Sequence, residues 1–313
     1  MEKDICVIVN AGSGQKDAKS NPDNIVKAFE ALGTNCTLKL IENGAQIESL
    51  SRSALNEGFK TIVAGGGDGT ICAVASALSD SDATMGILPL GTFNYYARSL
   101  NLPMELDAAV KVIVDGKTQA MRIATVNDKV FLNNASLGAY PAILETREDI
   151  YKRWGRSRVA AYWAVVKTLF RLRSSMRLRI TVDGQAQLFR TPLVFVVNNA
   201  YQLTHLSVEG ADRIEDGELV TFVAADSSRL ELIRMALVIA LRQGLPKGRF
   251  EVMSGSDILI ESLGRRAGRP HKVARDGERQ RLAGPYRFKV KNSALTVLIP
   301  SPEPEKSERG EPA

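Results

Sequence analysis

Asp68 sits in the run Gly65-Gly66-Gly67-Asp68-Gly69-Thr70, a setting better suited to a phosphate than to a plain turn. Three glycines in succession let the backbone bend sharply and leave no Cβ between its amides and a ligand. A helix opening at Thr70 offers unpaired N–H groups, whose partial positive charge attracts a phosphate. A carboxylate there repels the same ligand unless a divalent cation, a water or a basic group lies between. Asp68 therefore points to a metal–nucleotide site. No Gly-Lys-Ser/Thr follows, so the loop is not a Walker A motif, and its spacing departs from the dinucleotide fingerprint. Two further small-residue loops repeat the theme: Asn10 running into Ala11-Gly12-Ser13-Gly14, and Pro89-Leu90-Gly91-Thr92-Phe93-Asn94. In the latter, Thr92 and Asn94 supply short polar groups that can cap the following helix and touch a phosphate.

These loops need strands to carry them. Apolar, β-branched runs at residues 4–10, 36–41, 61–64 and 85–90 alternate with helical patterns at 22–32, 46–56, 70–78 and 106–115. Strands alternating with helices at this spacing predict a parallel, doubly wound α/β sheet. The loops then fall at strand C-termini, where ligands of open α/β sheets bind. Beyond a boundary at 116–123 the pattern changes. Strand-like runs at 177–183, 185–190, 192–198, 219–224, 257–261, 286–290 and 295–299 predict an antiparallel second domain. Asp183-Gly184 and Asp276-Gly277 read as hairpin turns. The expected division is 1–120, 121–300 and a disordered, proline-rich tail at 301–313, with the last strand able to return to the first domain.

Composition sets the class. The 313 residues are 44% hydrophobic and 24% charged, as in an ordinary globular protein, with a net charge of +6 that suits an anionic partner. Cys6, Cys36 and Cys72 have no metal or redox spacing and read as buried thiols of a reducing, cytoplasmic compartment. The longest apolar run, 235–241, is too short to cross a bilayer. His205 and His271 lack partners at ligand spacing and read as surface or loop residues. Residues 228–242 read as a covering helix. Residues 151–179 carry nine Lys and Arg, no acid, and Val159, Tyr162, Trp163, Val166 and Phe170 at helical spacing. That composition fits either an interfacial helix on an anionic membrane or a core-facing helix with solvated arginines. No nucleic-acid-binding motif is present.

With GGDGT, PLGTFN, FLNNASLG at 131–138 and ARDGE at 274–278 in view, the chain resembles the bacterial lipid kinases related to diacylglycerol kinase and sphingosine kinase. The resemblance spans residues 3–300. GGDGT alone is shared with NAD kinases and phosphofructokinases, whereas LPLGTFN and FLNNASLG narrow the match to the lipid-kinase branch. It implies a nucleotide-binding α/β domain, a β-sandwich domain, and ATP with Mg2+ in the cleft between. By that resemblance, Asn10, Gly12, Ser13 and Gly14 border the nucleotide. Gly66, Gly67, Asp68, Gly69 and Thr70 hold its phosphates, and Thr92 and Asn94 complete the site. Asp276 takes the place of the catalytic base, with Glu278 beside it and Asp68 serving the metal. The segment 213–218 resembles a metal loop, in which Asp216 binds through its side chain and Arg213 and Glu218 through their carbonyls.

The resemblance implies a kinase that phosphorylates the hydroxyl of a diacylglycerol-like or sphingoid-like lipid, peripheral to the membrane, with a homodimer among its assemblies. Three positions depart from the family pattern. Tyr95 and Arg122 stand where acids are expected, and Leu40 where a threonine is common. Those changes keep other readings open: a metal held differently, a kinase of a soluble substrate such as NAD, or a non-catalytic nucleotide or lipid sensor.

Overall fold

The computed structural model describes residues 5–10, 21–154, 175–226, 231, 248–264 and 267–301, with residues 147–154 described as backbone only. The loop holding Gly12, Ser13 and Gly14, most of the basic 151–179 segment, most of the 228–242 helix and nearly all of the tail lie outside the described residues.

The first half builds as its periodicity predicts. Strands β1 (Ile5–Asn10), β2 (Cys36–Ile41), β3 (Thr61–Gly66) and β4 (Thr84–Pro89) are parallel, in the order β2-β1-β3-β4. Successive strand residues point to opposite faces. Ile5, Val7 and Val9 pack with α1 (Pro22–Glu30) and α5 (Leu106–Asp115), while Cys6 and Ile8 pack with α2 (Ile47–Asn56) and α3 (Asp68–Leu78). Helices on both faces cover a sheet that is apolar throughout, which is the doubly wound arrangement. Asn21 caps α1 by accepting from the Asp23 N–H at 3.0 Å, with Pro22 at the first helical position. The order reverses between β1 and β3, so Asn10 and the glycine loop flank the crevice at the topological switch point.

The second half is a sandwich. One layer is a six-stranded antiparallel sheet in the order β12-β11-β10-β7-β14-β15, built from β12 (Phe250–Gly255), β11 (Leu219–Ala224), β10 (Leu193–Val197), β7 (Asn134–Gly138), β14 (His271–Arg275) and β15 (Glu278–Leu282). The other layer contains β13 (Asp257–Ser262), β8 (Met176–Val182) and β9 (Gln185–Thr191), joined by β5 (Lys117–Val126) and the short β6 (Lys129–Phe131). Phe131, Leu137, Ile180, Val196, Ile260 and Phe288 fill the space between the layers. The helix expected after Asn94 is α4 (Tyr95–Ser99), and three helices not read from the sequence lie within the sandwich half: the 16-residue α6 (Ala139–Trp154) and the short α7 (Ala200–His205) and α8 (Ala211–Glu215).

Two expectations need correction. The runs 286–290 and 295–299 are one strand, β16 (Tyr286–Ile299), with a register shift between Lys291 and Leu295 and Ser293 at φ 52°. Its end pairs in parallel with β4 and its beginning in antiparallel with β13, so the sheet runs unbroken through both halves. The boundary at 120–121 falls inside β5, which pairs with β16 along its length, and not in a linker. Each half of β16 is too short to show in sequence that the irregularity between them is a bulge and not a turn.

Tyr286 and Phe288 anchor β16 in the sandwich core, and Leu295 and Val297 anchor it under α3. Phe288→Ala is expected to cost about 3–5 kcal/mol. Because β16 belongs to both halves, urea unfolding should show one transition moved to lower denaturant, not a split into two.

Candidate active site

The glycine loops meet at the end of the parallel sheet, and close approach is what requires them. A Cβ on Gly91 would stand 2.3 Å from the Gly67 Cα, and one on Gly66 would stand 2.4 Å from Thr70 Oγ1. The loops after β3 and β4 therefore touch backbone to backbone, with the buried Thr70 side chain folded over Gly66. Gly67 is the N-cap of α3, and the first intrahelical bond runs from the Ile71 N–H to the Gly67 carbonyl at 3.0 Å. The amides of Asp68, Gly69 and Thr70 form the first turn, whose N–H groups have no helical acceptor. Free N–H groups at a helix start are suited to an anion. Thr92 is exposed beside it.

Asn94 has a different task from the one expected. Buried at φ 52°, it accepts from the Gly91 N–H at 3.1 Å and donates to the carbonyls of Pro89 and Gly91, each at 2.9 Å. Its side chain neither caps α4 nor faces a ligand, because its own loop takes up its donors and its acceptor. Asn10 ends β1, one strand away from the glycine loop.

The two key acids come together through one asparagine. Asp68 Oδ1 accepts from the Tyr96 N–H at 3.0 Å and from Asn133 Nδ2 at 3.1 Å. Asp276 lies at the β14–β15 turn, with φ 45° followed by Gly277 at φ 87°, as a tight hairpin needs. Its carboxylate turns inward: Oδ2 accepts from the Leu132 N–H at 2.7 Å, and Oδ1 from those of Asn133 and Asn134 at 2.8 and 2.9 Å. Burial pushes the Asp276 carboxyl up, and the three amides with the Cys72 thiol pull it back in part. Asn133 thus holds Asp276 by its backbone and Asp68 by its side chain. Glu278 is exposed, with Oε1 3.1 Å from where a Gly69 Cβ would stand, so it overlooks the start of α3.

Several participants had gone unassigned in the sequence. Asn133 Oδ1 accepts from Asn199 Nδ2 at 2.7 Å, and Asn134 Nδ2 donates to Gln202 Oε1 at 3.0 Å. The available signal was a repeated pair, Asn133-Asn134 and Asn198-Asn199, each following an apolar strand run. The Tyr96 hydroxyl is buried without a partner among the described residues, and desolvation, then Asp276 and Cys72, hold its pKa well above the usual tyrosine value. Tyr96, Met121, Arg122, Leu132, Asn198 and Tyr201 line a cavity of about 410 Å³ between the halves.

The departures from the family pattern acquire structure here. Tyr95 stacks on Phe93 with centroids 5.7 Å apart and meets His205 edge-on at 5.9 Å, an aromatic bridge from α4 to α7. His205 ends a helix within this cluster, and His271 lies in β14 with Nδ1 2.7 Å from the Tyr286 hydroxyl; neither is a bare loop residue. Leu40 is exposed. At 213–218, where the resemblance places a metal loop, the backbone carbonyls carry hydrogen bonds. The Arg213 carbonyl accepts from the Glu218 N–H at 3.0 Å, the Glu218 carbonyl accepts from Arg122, and Asp216 is exposed. Among the described residues no group of three or more His, Cys, Asp or Glu could hold a metal ion.

The model of the diacylglycerol kinase catalytic domain matches residues 4–126, and that of the YegS C-terminal NAD kinase beta sandwich-like domain matches residues 140–299. The chain belongs to this family of lipid kinases. It is similar to a "Probable lipid kinase YegS-like" of Pseudomonas aeruginosa (strain UCBPP-PA14), 34% identical over 50% of this chain and 51% of that protein. It is also 25% identical to a "Diacylglycerol kinase" of Staphylococcus aureus (strain MRSA252) over 74% of each chain. The matches to the YegS-like relatives span about half of their length or less. A solved diacylglycerol kinase structure from Bacillus anthracis str. Sterne shares the fold, with a TM-score of 0.65 at 18% identity over 96% of this chain and 97% of that one. Among the described residues no helix is long and apolar enough to cross a membrane.

Asn133→Ala removes the donor to Asp68 and leaves the buried Asn199 amide unpaired. A loss of about 1–3 kcal/mol in urea unfolding is expected. Asn133→Asp should be no better, since it places a third carboxylate beside Asp68.

Proposed function

We propose that the protein transfers the γ-phosphoryl group of ATP to the hydroxyl of a diacylglycerol-like or sphingoid-like lipid, with Mg2+ as cofactor. The observation that carries this reading is the meeting of an anion-binding helix start with two acids held by Asn133. Family membership supplies the lipid class.

Phosphoryl transfer asks the protein for alignment and charge neutralisation more than for covalent chemistry. The first-turn amides of α3, with the touching loops at Gly67 and Gly91, align the phosphates, and Thr92 and Asn10 border them. Both hydrogen bonds of Asp68 fall on Oδ1, which leaves Oδ2 for a magnesium ion or its water shell. When bound, magnesium neutralises charge on the transferring phosphates. A carboxylate has about four acceptor sites: three amides use three on Asp276, and the Cys72 thiol, a weak donor that a substrate hydroxyl would displace, lies at the fourth. That fourth site accepts the acceptor hydroxyl's proton as its oxygen bonds to the γ-phosphorus and the β–γ bridging P–O bond breaks. Glu278 adds negative charge at the rim. The interdomain cavity takes the acceptor's head, with Met121 and Leu132 offering apolar contact. The basic residues at 151–179 would draw the protein to an anionic membrane, where its substrate lies.

Purified protein with labelled ATP and lipid in mixed micelles should form phospholipid only with magnesium. Asp68→Ala and Asp276→Asn should each lower turnover by about a hundredfold or more, and unchanged turnover in either removes that residue from the mechanism. The burial that raises the Asp276 pKa also sets a pH limit. As the pH falls through that raised value the base takes up its proton, so kcat should decline with a midpoint above the ~3.9 of an ordinary aspartate.

A further inference from the structure

In the 213–218 segment, where the resemblance places a metal, two backbone carbonyls serve a side-chain cation. Arg122, on β5, donates from Nη1 to the Ile214 carbonyl at 2.7 Å, and from Nη2 to the Glu218 carbonyl at 2.9 Å and Asn198 Oδ1 at 2.8 Å. Neutral oxygens turned from separate segments toward one point are what a hard metal ion selects. They also match the planar fork of a guanidinium, which is less strongly hydrated than an ammonium and so more easily buried. The acids near it do not close a metal shell. Glu215 lines the same cavity, Glu218 Oε2 is buried without a partner among the described residues, and Asp216 is exposed.

We propose that the Arg122 guanidinium is the resident cation of this loop, standing where a divalent ion would otherwise be held, and that the loop binds no metal of its own. Its reach extends to the active site through Asn198. That side chain accepts from Arg122 and donates to the Leu132 carbonyl at 2.9 Å, while its N–H donates to the Asn133 carbonyl at 2.8 Å. Leu132 and Asn133 are the residues whose amides hold Asp276. Arg122 is thus a positioning residue: a cation that chelators cannot remove supports the turn on which both acids depend. This inference concerns the loop's cation and stands whether or not the lipid-kinase reading holds.

Thermal unfolding of the full, nucleotide-free chain in EDTA and in magnesium chloride tests it. The wild-type midpoint should agree in the two within about 1 °C, and Arg122→Lys, which keeps the charge but loses the fork, should melt about 3 °C or more lower in both. Arg122→Asp should be destabilised in EDTA and regain stability with magnesium, because a carboxylate at 122 completes an all-oxygen site. Three results would overturn the proposal: a magnesium-dependent rise in the wild type that Asp216→Asn abolishes, an Arg122→Lys variant as stable as wild type, or an Arg122→Asp variant no more responsive to magnesium than wild type. The first two need only the wild type and conservative variants, so they decide the matter even where Arg122→Asp does not fold.

Discussion

Asn133 holds two carboxylates that come from opposite halves of the molecule, and the rest of the site depends on that bridge. Asp68 rises from the first turn of α3, and Asp276 descends from a hairpin of the sandwich. Each would be costly to bury alone, because desolvation disfavours the charged form. Five N–H donors cover them, two on Asp68 and three on Asp276, where the Cys72 thiol adds a weaker one. These bonds fix where each charge sits, with Asp68 Oδ2 left open, and so define how the two halves approach at the site.

Such a bridge works only on a frame that does not hinge. The frame is a single sheet, because β16 begins in the sandwich and ends beside β4. The two ends of this strand are buried in different cores, so motion of one half against the other would have to bend or break a continuous ladder. The glycine loops add a second constraint. Gly91 approaches Gly67 so closely that a Cβ on Gly91 would stand 2.3 Å from the Gly67 Cα, and Asn94 stiffens the second loop from within. The start of α3, which carries Asp68, is therefore held in place against the neighbouring loop.

Where the chain departs from the family pattern, different chemistry occupies the positions. Tyr95 replaces an expected acid with an aromatic wall shared with Phe93 and His205. Arg122 replaces another acid, inverting the charge, and the carbonyls of Ile214 and Glu218 point toward it as they would toward an ion. An acid and a metal at that place sum to a local positive charge, and a single guanidinium preserves that sign.

Much of this was legible in the sequence alone. Apolar runs with period two, helical runs between them and glycine bends after the strands were enough for the doubly wound half, because those patterns are local and each is set by a few neighbouring residues. The glycine bends at Asp68 and at Gly91 were legible for the same reason, and the motif resemblance picked out Asp276. Other features depended on contacts between residues far apart in the chain. The single strand at Tyr286–Ile299, the inward turn of Asp276, the role of Asn133 and the cation held by the 213–218 loop each join partners about 70 to 210 residues apart. Hydrogen-bond partners across such distances leave no periodic trace, since any donor of the right shape reads alike in one dimension. The chain's local chemistry determined which groups could bind phosphate and accept a proton; only packing decided which of them meet.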